Sequence, residues 1–190
     1  ADPGPPRLLP TARAGERAER LLRDAGLEPG FIALCPFTTR PQKHWVEQNW
    51  GDLAQRLGAA GLGRCVILGG PADREATQRI MATMPPGTVD LVGATRVADL
   101  PALIERAGLL IGVDTGLTHI GTAMLRPVVA LFGSTCPYTM GAASPLKVMY
   151  DALPCAPCKR KPTCNGAYTC MSGLTPARVV HEALQLLGRP

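Results

Sequence analysis

Aromatic residues are scarce in this chain: Trp, Tyr and Phe together make up 4% of its 190 residues. The formal charge of +5 and an isoelectric point near 9.0 suit an anionic ligand or surface. With so few rings, that charge is too mild to argue for nucleic acid. No apolar run approaches the roughly 20 residues that a membrane helix needs, and no secretory signal pattern opens the chain. Also missing are a G-x-G-x-x-G after the first apolar run and a G-x-x-x-x-G-K-[ST] anywhere. Neither a dinucleotide dehydrogenase nor a P-loop enzyme is therefore favoured. Apolar residues are not scarce: a hydrophobic content of 46% and a mean hydropathy of +0.08 support a real core. The length suits one domain with an appended loop.

Cysteine is plentiful, with seven residues. Cys35, Cys65 and Cys136 stand in or beside strand-like segments and read as small core residues. Cys155, Cys158, Cys164 and Cys170 crowd into one stretch, and a reduced cytosol is expected. The opening "ADPGPPRLLP" carries four prolines in ten residues and no initiator methionine. It reads as an interdomain linker (1–10) ahead of one domain (11–190), so a piece of a larger protein is expected.

Helical periodicity in "ARAGERAERLLRDAG" is followed by the buried-strand run "FIALCPF". Strands "RCVILGG", "TVDLVG", "LLIGVD", "PVVALFG" and a weaker "KVMY" then alternate with the helical stretches "EQNWGDLAQRLGAAG", "ADREATQRIMATM", "VADLPALIERAG" and "GLTHIGTAML". "TPARVVHEALQLLG" closes the chain as a helix, with Thr175 as N-cap and Pro176 in its first turn. Such alternation, with near-continuous apolar strands, predicts a Rossmann-like doubly wound parallel sheet in the α/β class. Ligands of these sheets bind at the carboxyl ends of the strands. "PFTTRPQKHW", "GGPADRE", "VGATR", "VDTGLTH" and "FGSTCPYT" should all converge on that rim.

Each rim segment carries two readings. Thr38, Thr39, Arg40 and Lys43 suit a phosphate or diphosphate, or else form a solvated helix-capping loop. In "VDTGLTHIG", Gly116 opens a helix whose free N–H groups attract an anion. Asp114 should hold hydroxyls or amides rather than that anion, while the plainer reading makes Asp114 or Thr115 an N-cap. His119 is either a packed first-turn residue or a contact to phosphate or hydroxyl. Asp73 and Glu75 could hold ribose hydroxyls or simply favour the start of their helix.

Taken in order, Thr38-Thr39 with Lys43 and Trp45, then "GGPADRE", "DTGLTHIGTA" and "ALFGSTCP", the sequence resembles glycosyltransferase family 9, the ADP-heptose:lipopolysaccharide heptosyltransferases. The resemblance implies the C-terminal, donor-binding half of a GT-B enzyme that transfers heptose from ADP-heptose to the lipopolysaccharide inner core with inversion. On it, Thr38, Thr39 and Lys43 hold the diphosphate, and Lys43 stabilises the leaving ADP. Glu75 takes the ribose, with Asp73 as the alternative, and Thr95 lines the adenine pocket. Asp114 grips heptose hydroxyls, while Thr115, Gly116 and His119 face the diphosphate. The resemblance implies no metal in the reaction and a general base on the N-terminal domain. It further implies a cytoplasmic protein working at or near the inner membrane, with no nucleic-acid partner.

The loop 151–173 spaces its cysteines C-x2-C-x5-C-x5-C. A tetrathiolate zinc site is physically reasonable there, with Lys159, Arg160 and Lys161 offsetting its charge. The loose second pair argues instead for thiols or an adventitious disulfide. Two rival functions remain: another GT-B nucleotide-sugar enzyme such as a hexosaminyl 2-epimerase or a hexosyltransferase, and a zinc-stabilised nucleic-acid module.

Overall fold

The computed structural model describes residues 7–137, 143–159 and 161–189. Six strands, β1 (Ile32–Cys35), β2 (Cys65–Ile67), β3 (Val89–Asp90), β4 (Leu109–Val113), β5 (Val128–Phe132) and β6 (Leu146–Tyr150), form one sheet in the order β3-β2-β1-β4-β5-β6. Every pairing is parallel, and this is the expected Rossmann-like doubly wound sheet. The helices are α1 (Ala12–Asp24), α2 (Glu47–Ala59), α3 (Arg74–Met81), α4 (Leu100–Ile104), α5 (Gly116–Ala123), α6 (Thr169–Ser172) and α7 (Pro176–Leu186).

All residues of β1, β4 and β5 are buried, as strands covered on both faces require. Alternate side chains divide between two cores. Ile32, Leu34, Ile67, Ile111, Val129 and Leu131 meet Trp50, Leu53 and Leu57 of α2 and Val179 of α7. Ala33, Val66, Leu110, Val128 and Phe132 meet Ala14, Ala18 and Leu22 of α1 and Leu103 of α4. Each fully buried leucine or isoleucine contributes about 1.5–3 kcal/mol, so the strand sequences alone fix which residues face which helix layer.

Local signals set the helix ends. Thr11 caps α1 by accepting from the Ala14 N–H at 3.2 Å, and Gly26 follows the last turn at φ +59°. Thr175 caps α7 with Pro176 in the first turn. β3 keeps Val89–Asp90 of the expected "TVDLVG", and two helices are much shorter than their periodicity predicts. The stretch from Ala72 to Met84 begins in a 3₁₀ turn at Pro71–Asp73 and yields helix only over Arg74–Met81. The stretch from Val97 begins in a 3₁₀ turn and leaves only Leu100–Ile104 as α4, with Pro101 in its first turn. Pro101 lacks the N–H that a helix starting at Val97 would use, so α4 starts later, while the turn before α3 is closed by the Gly70 and Asp73 main chains and the Asp73 carboxylate. Cys35 and Cys65 lie in the core as expected, but Cys136 is only half-buried, because β5 ends at Phe132 and the chain has turned outward by then. Of the expected linker, residues 1–6 lie outside the described residues, as do Tyr138 and Thr139 of the last rim loop and Arg160 of the cysteine loop.

The topology places the crevice. β1 and β4 are neighbours, yet the chain leaves β1 toward α2 on one face and leaves β4 toward α5 on the other. Their following loops therefore part, and a cleft opens at their carboxyl ends. Gly112 lets α5 sit close: a Cβ there would stand 2.4 Å from Thr118 Oγ1 and 2.9 Å from Cys35 Cβ. Thr118 Oγ1 in turn donates to the Val113 carbonyl at 2.6 Å, which pins the helix start over the strand end.

Candidate ligand-binding crevice

Two adjoining chambers fill the cleft. The first, of about 450 Å³, is lined by Phe37, Thr38, Thr39, Lys43, Asp73, Asp114, Thr115, Gly116 and His119. The second, of about 320 Å³, shares Phe37, Asp73, Thr115 and Gly116 and continues over Pro71, Thr95, Val97, Leu100, Leu117 and Ile120. The first is polar and the second largely apolar, so an amphiphilic ligand could span both.

The polar chamber is organised around Asp114. Lys43 Nζ lies 2.6 Å from its Oδ2, Thr135 Oγ1 donates to Oδ2 at 2.6 Å, and His119 Nε2 is 3.4 Å from Oδ1. Partial burial of the carboxylate would raise its pKa. The polar contacts with His119, Lys43 and Thr135 and the Lys43 charge outweigh burial and hold it well below the usual carboxylate range. Asp114 is therefore an anion at every physiological pH. It is not a helix cap: the N-cap of α5 is Thr115, whose side chain makes no capping hydrogen bond. The Thr118 and His119 N–H groups donate to the Thr115 carbonyl, at 3.1 and 3.3 Å, so the N–H groups of Gly116 and Leu117 are the ones a ligand could take. Gly116 is not demanded by the protein itself, since a Cβ there would meet no atom within 4 Å. Its open space faces the cleft, which suits a ligand that approaches the main chain closely.

The loop after β1 is held from behind. His44 Nε2 contacts the Thr38 carbonyl at 2.8 Å, and the buried Trp45 donates from Nε1 to the Leu174 carbonyl at 2.7 Å. Trp45 also stacks edge-on with Trp50, 4.9 Å between ring centres. The tryptophan after Lys43 is thus an anchor and takes no place in the cleft.

Of the candidate residues, Thr38, Thr39, Lys43, Asp114, Thr115, Gly116 and His119 come together in the polar chamber, and Thr95 lines the apolar one. Glu75 stands apart: its side chain is 90% exposed, pairs with Arg79 at 3.1 Å and lines neither chamber. Asp73, the alternative, lines both chambers and accepts from the Gly70 N–H at 2.8 Å. The 3₁₀ turn before α3 makes the difference, because it brings Asp73 to the rim and rotates Glu75 outward. Thr135, Leu117, Ile120 and Val97 join the site without having been singled out. Thr135 was readable only as a polar residue just beyond a strand end. Val97, 79% exposed beside the apolar chamber, lies in a stretch whose pattern is that of a plain helix.

The clustered cysteines lie elsewhere. Cys155, Cys158, Cys164 and Cys170 line a separate pocket of about 270 Å³ with Gln42, Ser134, Leu153 and Tyr168. Among the described residues no disulfide forms, and no three ligating side chains are gathered as a metal site. No helix among the described residues is long and apolar enough to cross a membrane.

Fold and cleft together define a Rossmann-like α/β domain with a ligand crevice at its topological switch point. Residues 10–169 match the model of glycosyltransferase family 9 (heptosyltransferase), and the chain belongs to that family. It is 30% identical over 184 residues to lipopolysaccharide heptosyltransferase 1 of Pseudomonas aeruginosa, covering 87% of this chain and 51% of that protein. Among solved structures, the E. coli ADP-heptose lipopolysaccharide heptosyltransferase II matches with a TM-score of 0.77 at 24% identity, over 95% of this chain and 53% of that one. The E. coli heptosyltransferase WaaC with ADP-2-deoxy-2-fluoro heptose matches with a TM-score of 0.62 at 23% identity, over 88% of this chain and 47% of that one. The chain thus spans about half the length of the relatives it matches.

Proposed function

We propose that these residues form the donor-binding half of an inverting heptosyltransferase that moves heptose from ADP-heptose to a lipopolysaccharide core acceptor. One observation carries the reading: a cation and a carboxylate, Lys43 and Asp114, are held 2.6 Å apart beside an uncapped helix start, and an apolar chamber opens alongside. A diphosphate fits between Lys43, the hydroxyls of Thr38, Thr39 and Thr115, and the first N–H groups of α5. Adenine fits the apolar chamber between Phe37, Thr95, Val97 and Leu117, and Asp73, on the shared wall, is placed for ribose hydroxyls. Asp114 repels the diphosphate and accepts from sugar hydroxyls, which sets the heptose beside it.

In the reaction the acceptor oxygen forms a bond to the anomeric carbon as the bond from that carbon to the diphosphate oxygen breaks. ADP leaves with the electron pair. Lys43, His119 and the α5 N–H groups stabilise the charge that builds on it. The acceptor proton needs a base. Asp114 is a poor one, since its proton affinity is far below that of an ordinary carboxylate. We therefore assign the base to a part of the enzyme outside these residues. On this reading the enzyme acts in the cytoplasm in peripheral contact with the inner membrane, and no metal takes part in the transfer.

Calorimetric titration of the chain with ADP-heptose, ADP and UDP-sugars tests the proposal. Binding of the two ADP ligands with no UDP-sugar binding is expected. Preference for a UDP-sugar would favour the epimerase-like alternative.

A further inference from the structure

The loops that carry Lys43 and Asp114 are tied together through the cysteine loop. Gln42, next to Lys43 in the 3₁₀ turn, is buried, and its Nε2 donates to the Lys159 carbonyl at 3.0 Å. The Lys159 N–H donates to the Ser134 carbonyl at 2.6 Å. Thr135, the next residue, donates to Asp114, and Asp114 meets Lys43. The contacts close a ring: Lys43, Asp114, Thr135, Ser134, Lys159, Gln42 and back to Lys43. Both polar groups of the Lys159 main chain thus go to the two loops that make the polar chamber. Lys159 sits at φ +57°, a conformation that a side-chain-bearing residue rarely adopts without compensation. Gln42 and Ser134 also line the pocket of the four cysteines, so the walls of that pocket and the ring share residues.

We propose that Gln42 is a positioning residue of the donor site, and that the cysteine loop is a brace which, through the Lys159 main chain, holds Lys43 against Asp114. The proposal rests on the donor-site reading for its ligand but not for its geometry. The brace acts on the protein whether or not ADP is bound. A buried glutamine that merely fills space would leave the chamber unchanged when replaced by an apolar side chain of similar size. A brace would not.

The test uses Gln42→Met, which keeps the volume and removes the donor, and Lys161→Ala, which removes an exposed cation of the same loop outside the ring. Two readouts are taken: ADP affinity by calorimetry, and the titration of the Asp114 carboxyl carbon by NMR. Gln42→Met is expected to weaken ADP roughly two- to tenfold, the effect of one neutral hydrogen bond. It should also move the Asp114 titration up toward that of an ordinary carboxylate, as Lys43 is freed. Lys161→Ala should keep both at wild-type values. Wild-type behaviour of Gln42→Met in the Asp114 titration overturns the brace, even if its melting temperature falls. A large loss of ADP affinity in Lys161→Ala overturns it too, because the loop would then be acting through its cations as a direct anion contact. If the unmodified chain fails to bind ADP, the donor reading falls, and the Asp114 titration still decides the brace.

Discussion

The two chambers of the crevice are built by opposite means. The polar one depends on a few directional contacts: Asp114 alone gathers Lys43, Thr135 and His119. The apolar one has no such centre and depends on shape, with Phe37, Leu117 and Ile120 set by the sheet and Val97 left exposed at its lip. Substitutions in the first should therefore change affinity steeply and selectively, and substitutions in the second gradually.

The largest effect is expected from Lys43→Ala. Loss of a charge-assisted hydrogen bond should weaken ADP, ADP-heptose and inorganic pyrophosphate alike by roughly ten- to a hundredfold. Calorimetry with the three ligands checks this, and a loss confined to ADP-heptose would move Lys43 to the sugar. Asp114→Asn should split the ligands instead. ADP-heptose should weaken roughly tenfold or more through lost charge-assisted hydrogen bonds, and ADP far less, since the loss of a repelling charge offsets the looser hold on Lys43.

The same variant has a pH signature. The folded pKa of Asp114 is depressed, so its stabilising contribution is complete above about pH 4, the range of an unfolded aspartate, and fades as the pH falls toward the lower folded value. The difference in melting temperature between wild type and Asp114→Asn should be steady from pH 7 to about pH 4 and shrink below it. A difference that grows in acid would contradict the contacts of Asp114 with Lys43, Thr135 and His119.

Gly116→Ala should fold normally, because its Cβ meets no protein atom, yet lose about tenfold in ADP affinity as the methyl group enters the approach to the α5 N–H groups. Unchanged affinity would place the diphosphate elsewhere. Val97→Asp should be milder still. It removes about 0.5–1 kcal/mol of apolar contact with adenine, a roughly two- to fivefold loss felt by ADP but not by inorganic pyrophosphate. The smallest effect is expected at Glu75→Gln, within twofold for all ligands, whereas Asp73→Asn should lower ADP affinity several-fold without touching pyrophosphate.

The same contrast explains what could be read from the sequence. Continuous apolar runs gave away β1, β4 and β5, and strand–helix alternation then required the parallel sheet and its crevice. "DTG" after β4 exposed Asp114, Thr115 and Gly116 because polar residues gathered at a buried strand end stand out. The choice between Asp73 and Glu75 was not readable, since it depends on a 3₁₀ turn that shifts the phase of the helix. The apolar chamber was nearly silent, because Leu117, Ile120 and Val97 look like ordinary helix residues until the fold sets them beside a cleft. Gln42 gave no signal at all: its partner lies 117 positions away in the cysteine loop.

A crystal structure of the chain soaked with ADP tests the central claim most directly. Adenine is expected between Phe37, Val97 and Leu117, with the diphosphate over Gly116 and within hydrogen-bonding reach of Lys43 Nζ. ADP bound instead in the groove between α1 and the loop at Thr95 and Arg96, where Arg17 pairs with Asp99, would contradict it.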